Sequence, residues 1–231
     1  MQKILFIALF ILTTLFLSAQ KKNKSASINF CGFSYSDTAK MRQHFGKQLA
    51  FLKIRDNDTI VDIGAQSGSY EGILSVIGDF QQVSFLLVDI DSNCLSKEKI
   101  NSMIEHYQDK SGTTFKNNFI PVLNTVDSLW LPLNRFKKAW ILNTLHEIPN
   151  KQKMIQDIYN ILAPGGEIVI MELLATEKYS IHGGCHKPLM TKNEIDSIAK
   201  NTGFNFKEEV LNPVEVKKIR NPILMIRYTK N

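Results

Sequence analysis

The chain has 231 residues, of which 44% are hydrophobic and 22% charged. That balance suits one domain with a sizeable core and excludes wholesale disorder; twelve Gly and seven Pro exclude collagen-like or low-complexity sequence. The 28 Lys and Arg against 22 Asp and Glu give a net charge of +6, but the charge is scattered rather than gathered on one face among aromatics, so no nucleic-acid partner is expected.

In chain order, residues 1–19 have the layout of a secretory signal peptide. Met1-Gln2-Lys3 is a short positive start, an apolar run follows over 4–17, and Ser18-Ala19-Gln20 offers small residues for cleavage. The run falls short of the roughly 20 residues that a membrane-spanning helix needs. Export, periplasmic or secreted, is therefore expected. The competing reading is an uncleaved anchor, because Lys21, Lys22 and Lys24 outweigh Lys3 and flanking positive charge prefers the cytoplasmic side. The domain would then stay in the cytoplasm, tied to the membrane through its N-terminus. Residues 20–37, polar and Ser-rich from 25, read as a linker or arm, and 38–231 as the folded domain.

Helical spacing of Met41, Phe45, Leu49 and Leu52 predicts a helix over 38–53. A β-rich run over 59–63 ends at Gly64, and a short helix follows over 69–77. The near-continuous apolar run 83–88 reads as a strand buried on both faces of a parallel sheet. A helix over 94–107, strand regions at 115–123 and 138–142, and a helix over 151–162 come next. Pro164-Gly165-Gly166 is expected to stop that helix before a strand over 167–174. Thr191 with Glu194 forms a capping box that opens another helix, ended by Gly203. Strands at 205–211 and 222–228, with no helix between them, are expected to pair antiparallel at one edge, joined by a basic turn. The class is α/β with a mainly parallel sheet.

Three cysteines, Cys31, Cys94 and Cys185, fit no metal spacing. Unpaired thiols are the favoured reading; of the pairs open to an exported chain, Cys31 with Cys185 is the least implausible, since both lie in loop-like segments.

In open α/β sheets ligands bind beyond the carboxyl ends of the strands, at the switch point. The residues expected there are Asp62-Ile63-Gly64-Ala65-Gln66-Ser67-Gly68, then Asp89-Ile90-Asp91, Asn124-Thr125-Val126-Asp127 and Asn143-Thr144-Leu145-His146-Glu147. Gly64 and Gly68 permit a tight strand-to-helix turn, and Asp89 stands where an acid can accept from ribose hydroxyls. The dinucleotide fingerprint needs Gly where Gln66 and Ser69 stand, which disfavours a nicotinamide cofactor.

With these segments, and with Leu162-Ala163-Pro164-Gly165-Gly166-Glu167 and the closing strand pair, the chain resembles the class I S-adenosylmethionine (SAM)-dependent methyltransferases from about residue 40 to its end. The resemblance implies a Rossmann-like, doubly wound, seven-stranded sheet, SAM as cofactor and methyl transfer as activity. It implies that Asp62 and the loop Gly64, Ala65, Gln66 and Gly68 line the methionine part. Asp89 would bind ribose and Ile90 pack on adenine, with Thr125 and Val126 at the adenine edge and Asn143 near the sulfur. Two positions depart from the family's pattern: Gln66 replaces the middle glycine, and Thr125 stands where many relatives carry Asp.

Methyl transfer needs alignment and exclusion of water more than covalent help. A base is needed only where the acceptor atom carries a proton, and His146, Glu147 and Glu172 are the candidates. No acceptor clamp of the Asn-Pro-Pro-Tyr type and no Pro-Cys nucleophile follows the fourth strand, which leaves a small-molecule or lipid-like acceptor. Because SAM is made in the cytoplasm, an exported chain also admits a second reading, a catalytically silent ligand- or partner-binding domain. The segment 177–190 lies where relatives place a substrate lid. Its His182, Cys185 and His186 are a cramped set without a fourth ligand, so a glycine-hinged loop with no metal is expected.

Overall fold

The computed structural model describes residues 28–126, 128–213 and 220–231. The expected signal segment, Asp127 and most of the basic turn lie outside the described residues. Among the described residues no helix is long and apolar enough to cross a membrane.

Chain order is α1 (Thr38–Leu52), β1 (Thr59–Ile63), α2 (Ser69–Ile77), β2 (Ser84–Asp89), α3 (Lys97–Ser111), β3 (Asn118–Leu123), β4 (Phe136–Leu142), a 3-10 turn (Leu145–Glu147), α4 (Lys151–Ile161), β5 (Leu162–Leu173), α5 (Lys192–Thr202), β6 (Phe204–Leu211) and β7 (Ile223–Lys230). The seven strands form one sheet in the order β3-β2-β1-β4-β5-β7-β6. The pairs β1–β2, β1–β4, β2–β3 and β4–β5 are parallel, whereas β7 runs antiparallel to β5 and to β6. The order reverses between β1 and β4, so the chain leaves these strands toward opposite faces, to α2 and to α4, and leaves a crevice there. The expected Rossmann-like α/β class and the antiparallel C-terminal pair are both present.

Alternation along the strands fills two cores. Val61, Ala139, Ile141, Ile168, Ile170 and Ile226 point to one face, against Ile155 and Ile158 of α4 and Ile195 and Ala199 of α5. Ile60, Phe85, Trp140, Val169 and Met225 point to the other, against Met41 and Leu52 of α1, Ile73 of α2 and Met103 and Tyr107 of α3. Successive strand side chains face opposite ways, and both faces are covered by helices. The Thr191–Glu194 capping box is present. Asp37 caps α1 by accepting from the N–H groups of Ala39 (2.9 Å) and Lys40 (3.1 Å). Several boundaries shift by a few residues, α3 among them at Lys97–Ser111, and the one that differs most is at the start of β5. α4 ends at Ile161 and β5 begins at Leu162, which pairs with Phe136 across an irregularity. The Pro-Gly-Gly segment thus lies within the strand, as the kink that separates this first pairing from the regular ladder.

The arm over 28–37 is packed on α3. Phe30 is buried against the rings of His106 and Tyr107. The Tyr107 hydroxyl donates to Phe33 O (3.0 Å), and Asn29 Nδ2 donates to Glu98 (2.8 Å). A disulfide joins Cys31 to Cys94, and Cys185 is free. This corrects both the expectation of unpaired thiols and the Cys31–Cys185 alternative. The arm crosses the carboxyl end of β2, where Cys94 closes the loop before α3; Ser67 fixes the crossing by accepting from Cys31 N (3.0 Å) and donating to Cys94 O (2.7 Å).

Alkylation of the unfolded, unreduced protein is expected to label only Cys185. Replacing Cys31 by Ser should lower stability to urea by about 2–4 kcal/mol, because the unfolded chain regains the entropy of a long open loop. Labelling of all three cysteines before reduction would contradict the pairing.

Candidate active site

A cavity of about 670 Å³ lies at the strand-order reversal, beyond the carboxyl ends of β1, β2 and β4. Its floor is the loop after β1. Gly64 N donates to Val88 O (2.8 Å), and Gly64 holds φ of 83° with Thr144 so close that a Cβ would sit 2.4 Å from its methyl carbon. A side chain there is excluded both by the backbone and by contact. Gln66, also left-handed at φ 52°, donates its N–H to Asp89 Oδ2 (2.8 Å). Asp91 N donates to Asp89 Oδ1 (2.9 Å). The Asp89 carboxylate is therefore held in place from both sides, and each oxygen keeps accepting capacity for a ligand hydroxyl. Gln66 is exposed and its side-chain oxygen turns toward Gly32 of the arm, about which a built Cβ would lie 3.2 Å away. The side chain thus lies at the rim, beside the arm.

One end of the cavity is buried and acidic. Asp62 is 3% exposed and Glu71 fully buried. Burial, and then the nearby Glu71 and Asp89 carboxylates, push the Asp62 pKa well above the usual range. Burial likewise raises Glu71. Burial thus favours the uncharged form of both carboxyl groups. Asp62 Oδ1 and Asn143 Oδ1 are buried without a hydrogen-bond partner, and both residues line the cavity. Beside them α2 starts at Gly68 with no side-chain cap, leaving first-turn N–H groups for an anion. The other end is apolar and open: Ile90 is 58% and Val126 44% exposed. Thr125 bridges to Ser128 next to them.

Asp62, Gly64, Ala65, Gln66, Asp89, Ile90, Thr125, Val126, Asn143 and Glu147 all line the cavity. Three expected site residues do not. Gly68 faces the sheet, where a Cβ would meet Leu87 at 2.8 Å, so it serves the turn and not the ligand. His146 and Glu172 are buried behind the wall: His146 Nδ1 lies 2.7 Å from Glu172 Oε2, and His146 N donates to Glu172 Oε1 (3.2 Å). Of the candidate bases only Glu147 reaches the cavity. Sequence reasoning missed Gly32 and Phe33 of the arm, and Tyr70; Asn124, expected at the switch point, does line the cavity. The aromatic residues Phe30, Phe33 and Tyr35 in this arm were the available signal.

Fold and site together define a Rossmann-like methyltransferase. The sequence matches the methyltransferase-domain family over residues 38–209, and the chain belongs to that family. Among relatives, it is 26% identical over 181 residues to the sterol 24-C-methyltransferase of Pneumocystis carinii, covering 76% of this chain and 45% of that one. The chain spans about half the length of the curated relatives it matches, 45% and 47%. Among solved structures, a SAM-dependent methyltransferase from Aquifex aeolicus aligns with a TM-score of 0.59 at 17% identity, over 85% of this chain and 95% of the other. One from Methanosarcina mazei aligns with a TM-score of 0.60 at 16% identity, over 79% and 96%. These last two likenesses are likenesses of fold.

SAM is the cofactor that family and cavity call for. The residues present fit it: the orphaned Asp62 and Asn143 oxygens suit the methionine ammonium, the uncapped α2 start its carboxylate, Asp89 the ribose diol, and Ile90 with Val126 the adenine face.

Two outcomes are expected. Asp89→Ala should weaken S-adenosylhomocysteine binding by about 1–3 kcal/mol in calorimetry, through lost hydrogen bonds; unchanged affinity would contradict the ribose assignment. The raised pKa of Asp62 carries a sign as well. A carboxyl raised by folding favours the fold below its unfolded pKa and opposes it as pH climbs through the raised value. Asp62→Asn should therefore gain stability relative to the parent as pH rises from the acid range to neutrality, while its affinity for the ligand falls. A variant that loses most stability at neutral pH would overturn this.

Proposed function

We propose that the protein transfers the methyl group of SAM to a lipid-like acceptor, and that it does so outside the cytoplasm. The observation that carries methyl transfer is the pair of buried, unpartnered acceptors, Asp62 Oδ1 and Asn143 Oδ1, in the same cavity as the clamped Asp89. SAM supplies a methyl group already activated on a sulfonium. The chain's own part is to hold and exclude. Asp62 and Asn143 anchor a cation, Asp89 fixes the sugar, and the arm at Gly32 and Phe33 narrows access to water. Glu147 is the carboxylate placed to take a proton where the acceptor atom carries one.

Two observations support a lipid-like acceptor. The curated relatives are named for methylation of a sterol. Part of the cavity wall, from Leu142, Ile148, Pro149, Met154 and Met171, is apolar and suits a hydrocarbon. The Cys31–Cys94 disulfide supports an exported chain, since such bonds persist in oxidising compartments.

Calorimetry is expected to give micromolar affinity for S-adenosylhomocysteine. Incubation with methyl-labelled SAM and a total lipid extract should move label into the organic phase. Absence of binding at millimolar ligand would refute the reading; label confined to water-soluble products would refute the lipid-like acceptor. N-terminal sequencing of cell-produced protein should begin after the small-residue exit near Ala19, and an intact Met1 would refute cleavage.

A further inference from the structure

Behind the cavity wall lies a second constellation, which shares only Glu147 with the cavity. His146, Glu147, His182 and Cys185 each present one ligand-type atom, and these atoms all lie within 4.8 Å of one another. They come from two loops. His146 and Glu147 sit in the 3-10 turn after β4, and His182 and Cys185 in the loop after β5. Because β4 and β5 are adjacent and parallel, both loops emerge at the same edge of the sheet. The second loop is itself ordered: His182 N donates to Lys187 O (2.9 Å), Leu189 N donates to Ser180 O (2.8 Å), and Ile181 bridges to Pro188.

We propose that this cluster is a zinc site, with His146, His182 and Cys185 as ligands and Glu147 as the fourth. Geometry is the first argument. Cys185 Sγ lies 3.3 Å from His146 Nε2 and 3.1 Å from His182 Nδ1, and His146 Nε2 lies 3.7 Å from Glu147 Oε1. Tetrahedral zinc with Zn–S near 2.3 Å and Zn–N near 2.05 Å has ligand-to-ligand edges of about 3.4–3.6 Å. Three of the six edges are near those lengths and all six lie within 4.8 Å, so a small closure would bring the four atoms to the corners of such a figure.

The second argument is the partner of His146. Its Nδ1 is 2.7 Å from Glu172 Oε2, and both side chains are wholly buried. With Nδ1–H donating to that carboxylate, Nε2 turns a lone pair toward Cys185. A carboxylate behind a histidine is what orients an imidazole and raises its basicity toward a metal. Thiolate and imidazole are the donors zinc prefers. As zinc binds, the Cys185 S–H proton leaves to solvent and the S–Zn bond forms. The ion also replaces the contact in which Cys185 N donates to His182 Nδ1 (3.2 Å).

The rival for the same atoms is a nucleophilic thiol activated by His146 and Glu172. A second imidazole against the same sulfur serves no purpose in that arrangement, and Cys185 takes no part in the cavity walls. The exposed His186, in left-handed backbone at φ 57°, stands outside the cluster. The expectation of no metal rested on the missing fourth ligand; His146 and Glu147, remote in sequence, complete the set.

The readouts need no methyl donor. Protein stripped with chelator and titrated with zinc chloride under a non-thiol reductant should take up about one ion per chain with submicromolar affinity. Cys185→Ser and His182→Ala should each weaken uptake by about 100-fold or more, Glu172→Gln by about 10–100-fold, and His186→Ala not at all. Cobalt(II) bound to the unaltered chain should display thiolate-to-metal charge transfer, which does not depend on any variant folding. A cobalt spectrum without that band, uptake unaffected by Cys185→Ser, or iodoacetamide modifying Cys185 equally fast with and without zinc would overturn the proposal. The last result would leave the thiol–imidazole–carboxylate reading in its place.

Discussion

Much of the cavity depends on one carboxylate held by two backbone N–H groups. Asp89 ends β2, and its two oxygens accept from Gln66 of the neighbouring loop and from Asp91 of its own. Charge-assisted bonds of this kind are short and directional. Here they couple the turn after β1 to the turn after β2, together with the bonds from Gly64 N to Val88 O and from Ser67 Oγ to Cys94 O. Because Gln66 N is spent on Asp89, the loop adopts left-handed backbone at a side-chain-bearing residue, and the side chain is thrown outward toward Gly32. A position that reads as an obstruction is thereby turned into part of the rim.

The buried end of the cavity works by the opposite principle. Acceptors left without donors inside a protein are costly, and two carboxyl groups side by side cannot both be charged cheaply. Asp62, Glu71 and Asn143 keep that cost in the free protein. A ligand carrying N–H donors and positive charge relieves it, so the stabilisation forgone in folding reappears as binding preference. This is polarity prepared before the ligand arrives, in a wall that otherwise packs as core.

The alternation of strands and helices, the glycine turn, the acid after β2 and the closing strand pair were all legible from residue order, because each is a local pattern with a local physical cause. Asp37 was missed as the cap of α1 although its type and place are ordinary for that role. What escaped sequence reasoning was created by neighbours in space. Cys94 reads as the start of a helix, and nothing in the chain announces that the arm crosses just there. Gly68 resembles a ligand glycine but answers to Leu87. His146 belongs by position to the cavity and by side chain to a different set of groups, because the 3-10 turn buries His146 against Glu172 while Glu147 still reaches the cavity.

The direct test of the prepared cavity is a crystal structure of the chain with S-adenosylhomocysteine. The account predicts the ligand's ammonium within hydrogen-bond distance of both Asp62 Oδ1 and Asn143 Oδ1, with the ribose hydroxyls on Asp89. A ligand bound elsewhere, or those two oxygens still without donors in the complex, would contradict it.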